Sequence, residues 1–345
     1  METNNILEFI CNIPKAELHV HIEGTFEPEL MFEIAARNHI TLKYRDVEAL
    51  REAYQFRNLQ EFLDIYYIGS QALKTERDFY ELTTSYLTKA ASQNILHTEI
   101  FFDPQTHHEN GVSFPVVFNG IYHALQDAEK NLGIHGDLIM CFLRHLGEAS
   151  AFATLQQALP FKDRIIGVGL DSSERGNPPH KFVRVFEAAR QAGFVAVAHA
   201  GEEGPVDYIH DSLDLLKISR IDHGNNSKDD ALLIAKIAQQ RIPLTMCPLS
   251  NLKLQVVKDL REHPLKNLLD NKVVATVNSD DPAYFGGYLN ENYIAIQQAL
   301  ELWHEDIVTL AKNSFEASFI DAARKQAYLN RIDTFVSDFN PKTKT

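Results

Sequence analysis

Ala16-Glu17-Leu18-His19-Val20-His21 alternates apolar and polar side chains and ends on two histidines. Period two is the mark of a strand, and alternate side chains on a strand share a face. His19 and His21 therefore project the same way, as two ligands of one metal must. A His-x-His pair on a strand is by itself more often an ordinary polar pair. Its weight comes from residues far down the chain: His199-Ala200-Gly201-Glu202, His223-Gly224 and Asp280-Asp281 each close an apolar, strand-like run. A packed core has no need of titratable groups at the ends of several strands, whereas a hydrolytic metal centre does.

Outward from residues 17–21, further strand-like runs fall at 96–103, 137–145, 165–171, 194–199, 220–223, 243–248 and 273–279. Helical stretches with charged faces separate most of them, for example 181–191 and 228–239. Strand-then-helix units in this number predict an α/β fold, a (β/α)8 barrel formed by one domain over residues 1–345, with its site on the loops after the strands. The connection between the first two strands is long. Within it Leu59, Phe62, Leu63 and Tyr66 recur at i, i+3, i+4 and i+7, the apolar stripe of a helix. These extra helices are expected both to pack on the barrel and to form a lid over its strand ends.

With 45% hydrophobic and 23% charged residues, the chain has the composition of an ordinary globular enzyme. A net charge of -14 argues against a duplex nucleic acid or an anionic membrane as partner. No run approaches the roughly 18 uninterrupted apolar residues of a membrane span. The first residues do not resemble a signal peptide. Cys11, Cys141 and Cys247 are too few and scattered for a disulfide framework, so a cytoplasmic location is expected. Cys247, before Pro248, is the thiol to examine for reactivity, with core packing the stronger reading.

Catalytic zinc takes nitrogen and oxygen ligands and keeps one position open for water. His19, His21, His199 and one of Asp280 or Asp281 supply such a set. Glu202, three residues past His199, can reach substrate and deliver a proton. His223 is placed to hold or deprotonate the attacking water. Adjacent strand residues face opposite ways, so Asp280 and Asp281 are expected to divide the work, one on metal and one on substrate. His107-His108 reads as a surface or lid pair rather than as ligands.

The segments Pro14 to Thr25, His199-Ala200-Gly201-Glu202, Asp222-His223-Gly224 and Asn278-Ser279-Asp280-Asp281-Pro282 resemble the adenosine/adenine deaminase family, in the same order and over roughly the whole barrel. The resemblance implies one Zn2+ per chain on His19, His21, His199 and Asp280, and a purine base and water as partners. It further implies Glu202 as proton donor to purine N1, His223 as the residue activating the water, and Asp281 on N7. Attack at C6 and loss of ammonia would follow, as in purine salvage. Absence of a lysine from residues 165–173 sets the chain apart from binuclear relatives and favours a single metal. Glu23, Cys247 to Leu254 and Asp281 to Tyr288 look like the adenine branch; adenosine enzymes typically carry aspartate at the position of Glu23. A longer acid there would fill the space a ribose needs. Ser172 stands where adenosine enzymes show a glycine that meets N3. Deamination of N6-substituted adenines is the nearest rival, adenosine deamination comes third, and a non-catalytic scaffold is disfavoured by the completeness of the set. A homo-oligomer is compatible with this reading.

Overall fold

Residues 2–339 are described by a computed structural model of the chain. Eight strands follow one another around the molecule in sequence order: β1 (Lys15–His21), β2 (Ile95–Phe102), β3 (His135–Leu143), β4 (Gly167–Asp171), β5 (Val195–Ala200), β6 (Arg220–His223), β7 (Leu244–Met246) and β8 (Ala275–Val277). Neighbouring strands pair in parallel throughout. The ring closes just beyond β8: the His21 amide donates to the Asp280 carbonyl at 3.0 Å, and the Asp280 amide to the His19 carbonyl at 3.1 Å. This is the barrel expected from the sequence. All of β1 and β2 is buried, because strands between a filled lumen and an outer ring of helices meet no water on either face.

Boundaries differ from the sequence reading where side chains replace ladder bonds. β8 stops at Val277, and Asn278 instead offers its Oδ1 to the Leu18 amide at 2.8 Å. The stretch 228–239 becomes a helix at Ala231, because the Asp230 carboxylate caps it by accepting from the Leu232 and Leu233 amides at 2.9 and 3.0 Å. The β1–β2 connection holds four α-helices, Pro28–Arg37, Val47–Glu52, Leu59–Ser70 and Glu76–Ser92. Leu59, Phe62, Leu63 and Tyr66 are buried, and the Phe62 ring lies 5.4 Å from Tyr284 and 4.7 Å from Phe285 in the short helix Pro282–Phe285 after β8. The Leu59–Ser70 helix thus packs against the barrel and roofs its strand ends at once, the two roles expected of it. Among the described residues, no helix is long and apolar enough to cross a membrane.

Candidate active site

β1, β5 and the turn after β8 bring His19, His21, His199 and Asp280 to one point, with one donor atom from each lying within 4.8 Å of the others. Asp280 Oδ1 is 3.1 Å from His19 Nε2 and 3.5 Å from His21 Nε2, and the Nε2 atoms of His21 and His199 are 3.2 Å apart. Tetrahedral zinc with bonds of about 2.0–2.1 Å would have ligand–ligand edges of about 3.4 Å, close to this spacing. His19 shows how the tautomer is fixed. Thr245 Oγ1 donates to Asp222 at 2.9 Å, so it must accept from His19 Nδ1, 2.9 Å away. That leaves His19 Nε2 with a bare lone pair, buried and without a hydrogen-bond partner. Burial and the neighbouring imidazoles hold His199 neutral, well below the usual histidine range. Burial would raise Asp280, but His19 and His223 outweigh it and keep that carboxylate ionised.

The backbone at these strand ends is unusual. His223, Asp280 and Ser172 hold left-handed φ angles of 63°, 65° and 70°. For side chains with a Cβ this conformation costs about 1–2 kcal/mol, a strain that clusters at functional sites. At Asp280 the turn carries its carboxylate to His19, His21 and His199, while Asp281 lies outside that group. Gly24 is needed for the same packing: a Cβ there would stand 2.0 Å from Asp281 Oδ1.

Glu202 and His223 meet on the open side of this cluster. Glu202 Oε2 lies 3.7 Å from His223 Nε2, which is 3.8 Å from Asp280 Oδ2. Burial, then the charge of Asp280, push the Glu202 carboxyl well above its ordinary range. Asp281 is raised in the same way by burial and Asp280, and its Oδ1 is buried without a partner. Burial lowers His223 to about 3, keeping it neutral. Together these groups set two carboxyls of raised pKa and an imidazole of lowered pKa around one cavity.

That cavity measures about 40 Å³ and is bounded by His21, His199, Asp280, Glu202, His223, Asp281 and Ser172 below, and by Leu59, Phe62, Leu63, Tyr66 and Tyr67 above. Ser172 Oγ is engaged with Tyr67 Oη at 3.0 Å and His145 Nδ1 at 2.8 Å. Glu23 sits behind the wall rather than in it. Its carboxylate accepts from the Asp103 amide at 3.2 Å, and the Tyr66 hydroxyl lies 3.4 Å away.

The expectation for His107 needs correcting. His108 is exposed, but His107 is fully buried, with Nε2 2.7 Å from Glu23 Oε1. The two do face apart, and the short helix Pro104–Glu109 turns one of them inward. Burial would raise Glu23, yet the bond from His107 outweighs it and holds Glu23 ionised. Cys247 is buried and burial pushes its thiol up, which makes it an inert packing group despite its place in a second grouping with His19, His223 and Asp280. Glu174 escaped the sequence reading. Buried completely, it accepts from the backbone amides of Gly201, Glu202, Glu203 and Gly204 at 2.8, 2.9, 3.0 and 2.7 Å. It therefore moulds the loop that carries Glu202. Arg144 completes the clamp, donating to the His199 carbonyl at 2.9 Å and standing 3.8 Å from Glu174.

Residues 14–335 match the adenosine deaminase family. The chain belongs to that family. An adenine deaminase of Acinetobacter baylyi is 60% identical over 329 residues, covering 95% of this chain and 99% of that one. One from Zymomonas mobilis is 57% identical over 336 residues, covering 97% and 100%. The crystal structure of an adenine deaminase from Arthrobacter aurescens superimposes with a TM-score of 0.93 at 46% identity, covering 94% of this chain and 99% of that one. Membership of the adenosine deaminase family and the three-histidine, one-carboxylate set together indicate a metal cofactor.

Proposed function

We propose that the protein hydrolyses adenine to hypoxanthine and ammonia as one barrel domain, with one Zn2+ per chain held by His19, His21, His199 and Asp280. The observation that carries this reading is the convergence of three imidazoles and one carboxylate, with Glu202 Oε2 3.7 Å from His223 Nε2 beside them. Zinc suits that donor set, and when bound it supplies an acidified water, whose pKa falls from about 15.7 to about 7. His223 Nε2 orients this water toward C6 of the base and accepts its proton. Glu202 delivers its proton to N1, drawing electron density away from C6 as attack proceeds. Asp281, its carboxyl raised by burial and by Asp280, donates to the acceptor N7, and Ser172 meets the N3 edge. His223 passes its proton to the C6 amino group, the C6–N bond breaks and ammonia leaves, and the hydroxyl left on C6 returns a proton to Glu202 as it becomes the carbonyl of hypoxanthine.

Preference for the free base rests on the roof. A cavity of about 40 Å³ holds only about three waters at the 10–15 Å³ each requires, so even a base must displace the Leu59–Ser70 helix or its side chains. A ribose would need still more room and partners for its hydroxyls. Glu23 closes that direction from behind, through Tyr66. Adenine deaminases among the relatives support the same substrate. Three unpaired cysteines suit the cytoplasm, where purine salvage takes place.

A direct test follows the ultraviolet change on adenine before and after chelation. Turnover should vanish with the metal and return with Zn2+, and His199→Ala should lose both metal and turnover. Retained zinc with near-normal turnover in that variant would overturn the ligand assignment.

A further inference from the structure

We infer that His97, His135 and Asp137 form a second site, for a divalent transition-metal ion, at the end of the barrel opposite the active site. The inference is independent of the proposed reaction. β2 and β3 set the residues side by side: His97 pairs with His135 and Glu99 with Asp137 in the ladder, so all four share one face. Two steps further along each strand, Phe101 and Ile139 belong to the cluster packed together with Cys141 and Val197. One donor atom from each of the three proposed ligands lies within 4.8 Å of the others. The Nδ1 atoms of His97 and His135 are 2.9 Å apart, and His135 Nδ1 is 3.8 Å from Asp137 Oδ2. These spacings bracket the edge of about 3.4 Å expected for tetrahedral zinc.

Glu99 supplies the support that metal-binding histidines generally have. It is ion-paired with buried Arg220 and accepts from the Phe319 amide at 2.6 Å. An anion in that position, 3.4 Å from His97 Nε2, fixes the ring proton on Nε2 and leaves Nδ1 bare toward His135. With no ion, the two Nδ1 atoms share one proton. An ion would take that proton's place, His135 carrying its ring proton on Nε2 instead, with small rotations of the rings and Asp137 as third ligand. Imidazole nitrogens select zinc, cobalt, nickel or copper over magnesium or calcium. A surface cleft of about 220 Å³ reaches His135 and Asp137, giving a hydrated ion a route and leaving water to complete its shell. The arginine at this cleft, Arg164, is engaged elsewhere, with its guanidinium 5.4 Å from the Phe118 ring centroid.

The test counts metal. Chelated protein is dialysed against Zn2+ or, for its visible spectrum, Co2+, and bound ions per chain are measured by atomic emission. The inference expects two ions in the wild type, one in His135→Gln and one in Asp137→Asn, with turnover unchanged in both variants. His199→Ala should also retain one ion, this time without turnover, which separates failure of this site from failure of the catalytic one. One ion in the wild type overturns the inference, and so does a second ion that persists in both His135→Gln and Asp137→Asn.

Discussion

Replacing Glu174 by glutamine tests whether the Glu202 loop is held in place by one buried carboxylate. Oε1 accepts from Gly201, and Oε2 from Glu202, Glu203 and Gly204. Glutamine has a single acceptor oxygen, so its best orientation keeps the three bonds and turns its amide toward Gly201, donor against donor. Hydrogen bonds to a charged group contribute about 1.5–3 kcal/mol each and neutral ones about 0.5–1.5, so three weakened bonds lose about 3 kcal/mol in all. The fourth, broken in a buried place, adds about 1–3 kcal/mol. Local relaxation of the loop absorbs part of this, leaving about 3–4 kcal/mol against the competent loop. At about 1.4 kcal/mol per factor of ten, kcat/KM on adenine should fall about 10²- to 10³-fold. Zinc should stay bound, because His199 is held by β5 pairing upstream of the loop. The assay is steady-state kinetics beside metal content. An unchanged kcat/KM in a fully metal-loaded Glu174→Gln protein would refute the clamp.

Three further outcomes are expected. Glu202→Gln should keep its zinc and lose about 10²–10⁴ in kcat, the usual worth of a general acid, as stopped assays on adenine would show. His107→Leu removes the donor facing buried Glu23 and should lower stability by about 1–3 kcal/mol in urea melts at neutral pH, an unchanged melt counting against the buried pairing. Asp78 joins two helices of the β1–β2 connection, accepting from Arg37 at 2.5 Å, Asn38 at 2.7 Å and the Thr75 amide at 2.8 Å. Burial would raise its pKa, but these bonds outweigh it and hold it below the ordinary aspartate range. A depressed carboxylate stabilises the fold above its unfolded pKa, and this contribution fades as pH falls through the folded value. Asp78→Asn should therefore be less stable than wild type at neutral pH, with the gap closing below about pH 4.

The barrel and the convergence of His19, His21, His199 and Asp280 are legible because both rest on period. Alternation places His19 and His21 on one face, and titratable residues at the ends of apolar runs mark the mouth of a barrel. What escaped depends on contacts between segments distant in sequence. Nothing near His107 reveals that a helix of six residues turns it toward Glu23, some eighty positions earlier. Glu174 looks like a solvated acid until the four amides of the next loop are seen around it. The left-handed backbones of Ser172, His223 and Asp280 were equally hidden, since only glycine advertises that conformation in a sequence. The short β8 was overestimated for a related reason: Asn278 mimics a ladder bond with its side chain.

The central question is which purine the closed pocket accepts. Ammonia release by the zinc-loaded protein, measured in parallel on adenine, adenosine and N6-methyladenine, addresses this directly. A kcat/KM for adenine far above the other two is the predicted result. Equal or better use of adenosine would contradict the roles given to Glu23 and the roof, and preference for N6-methyladenine would move the function to amine release.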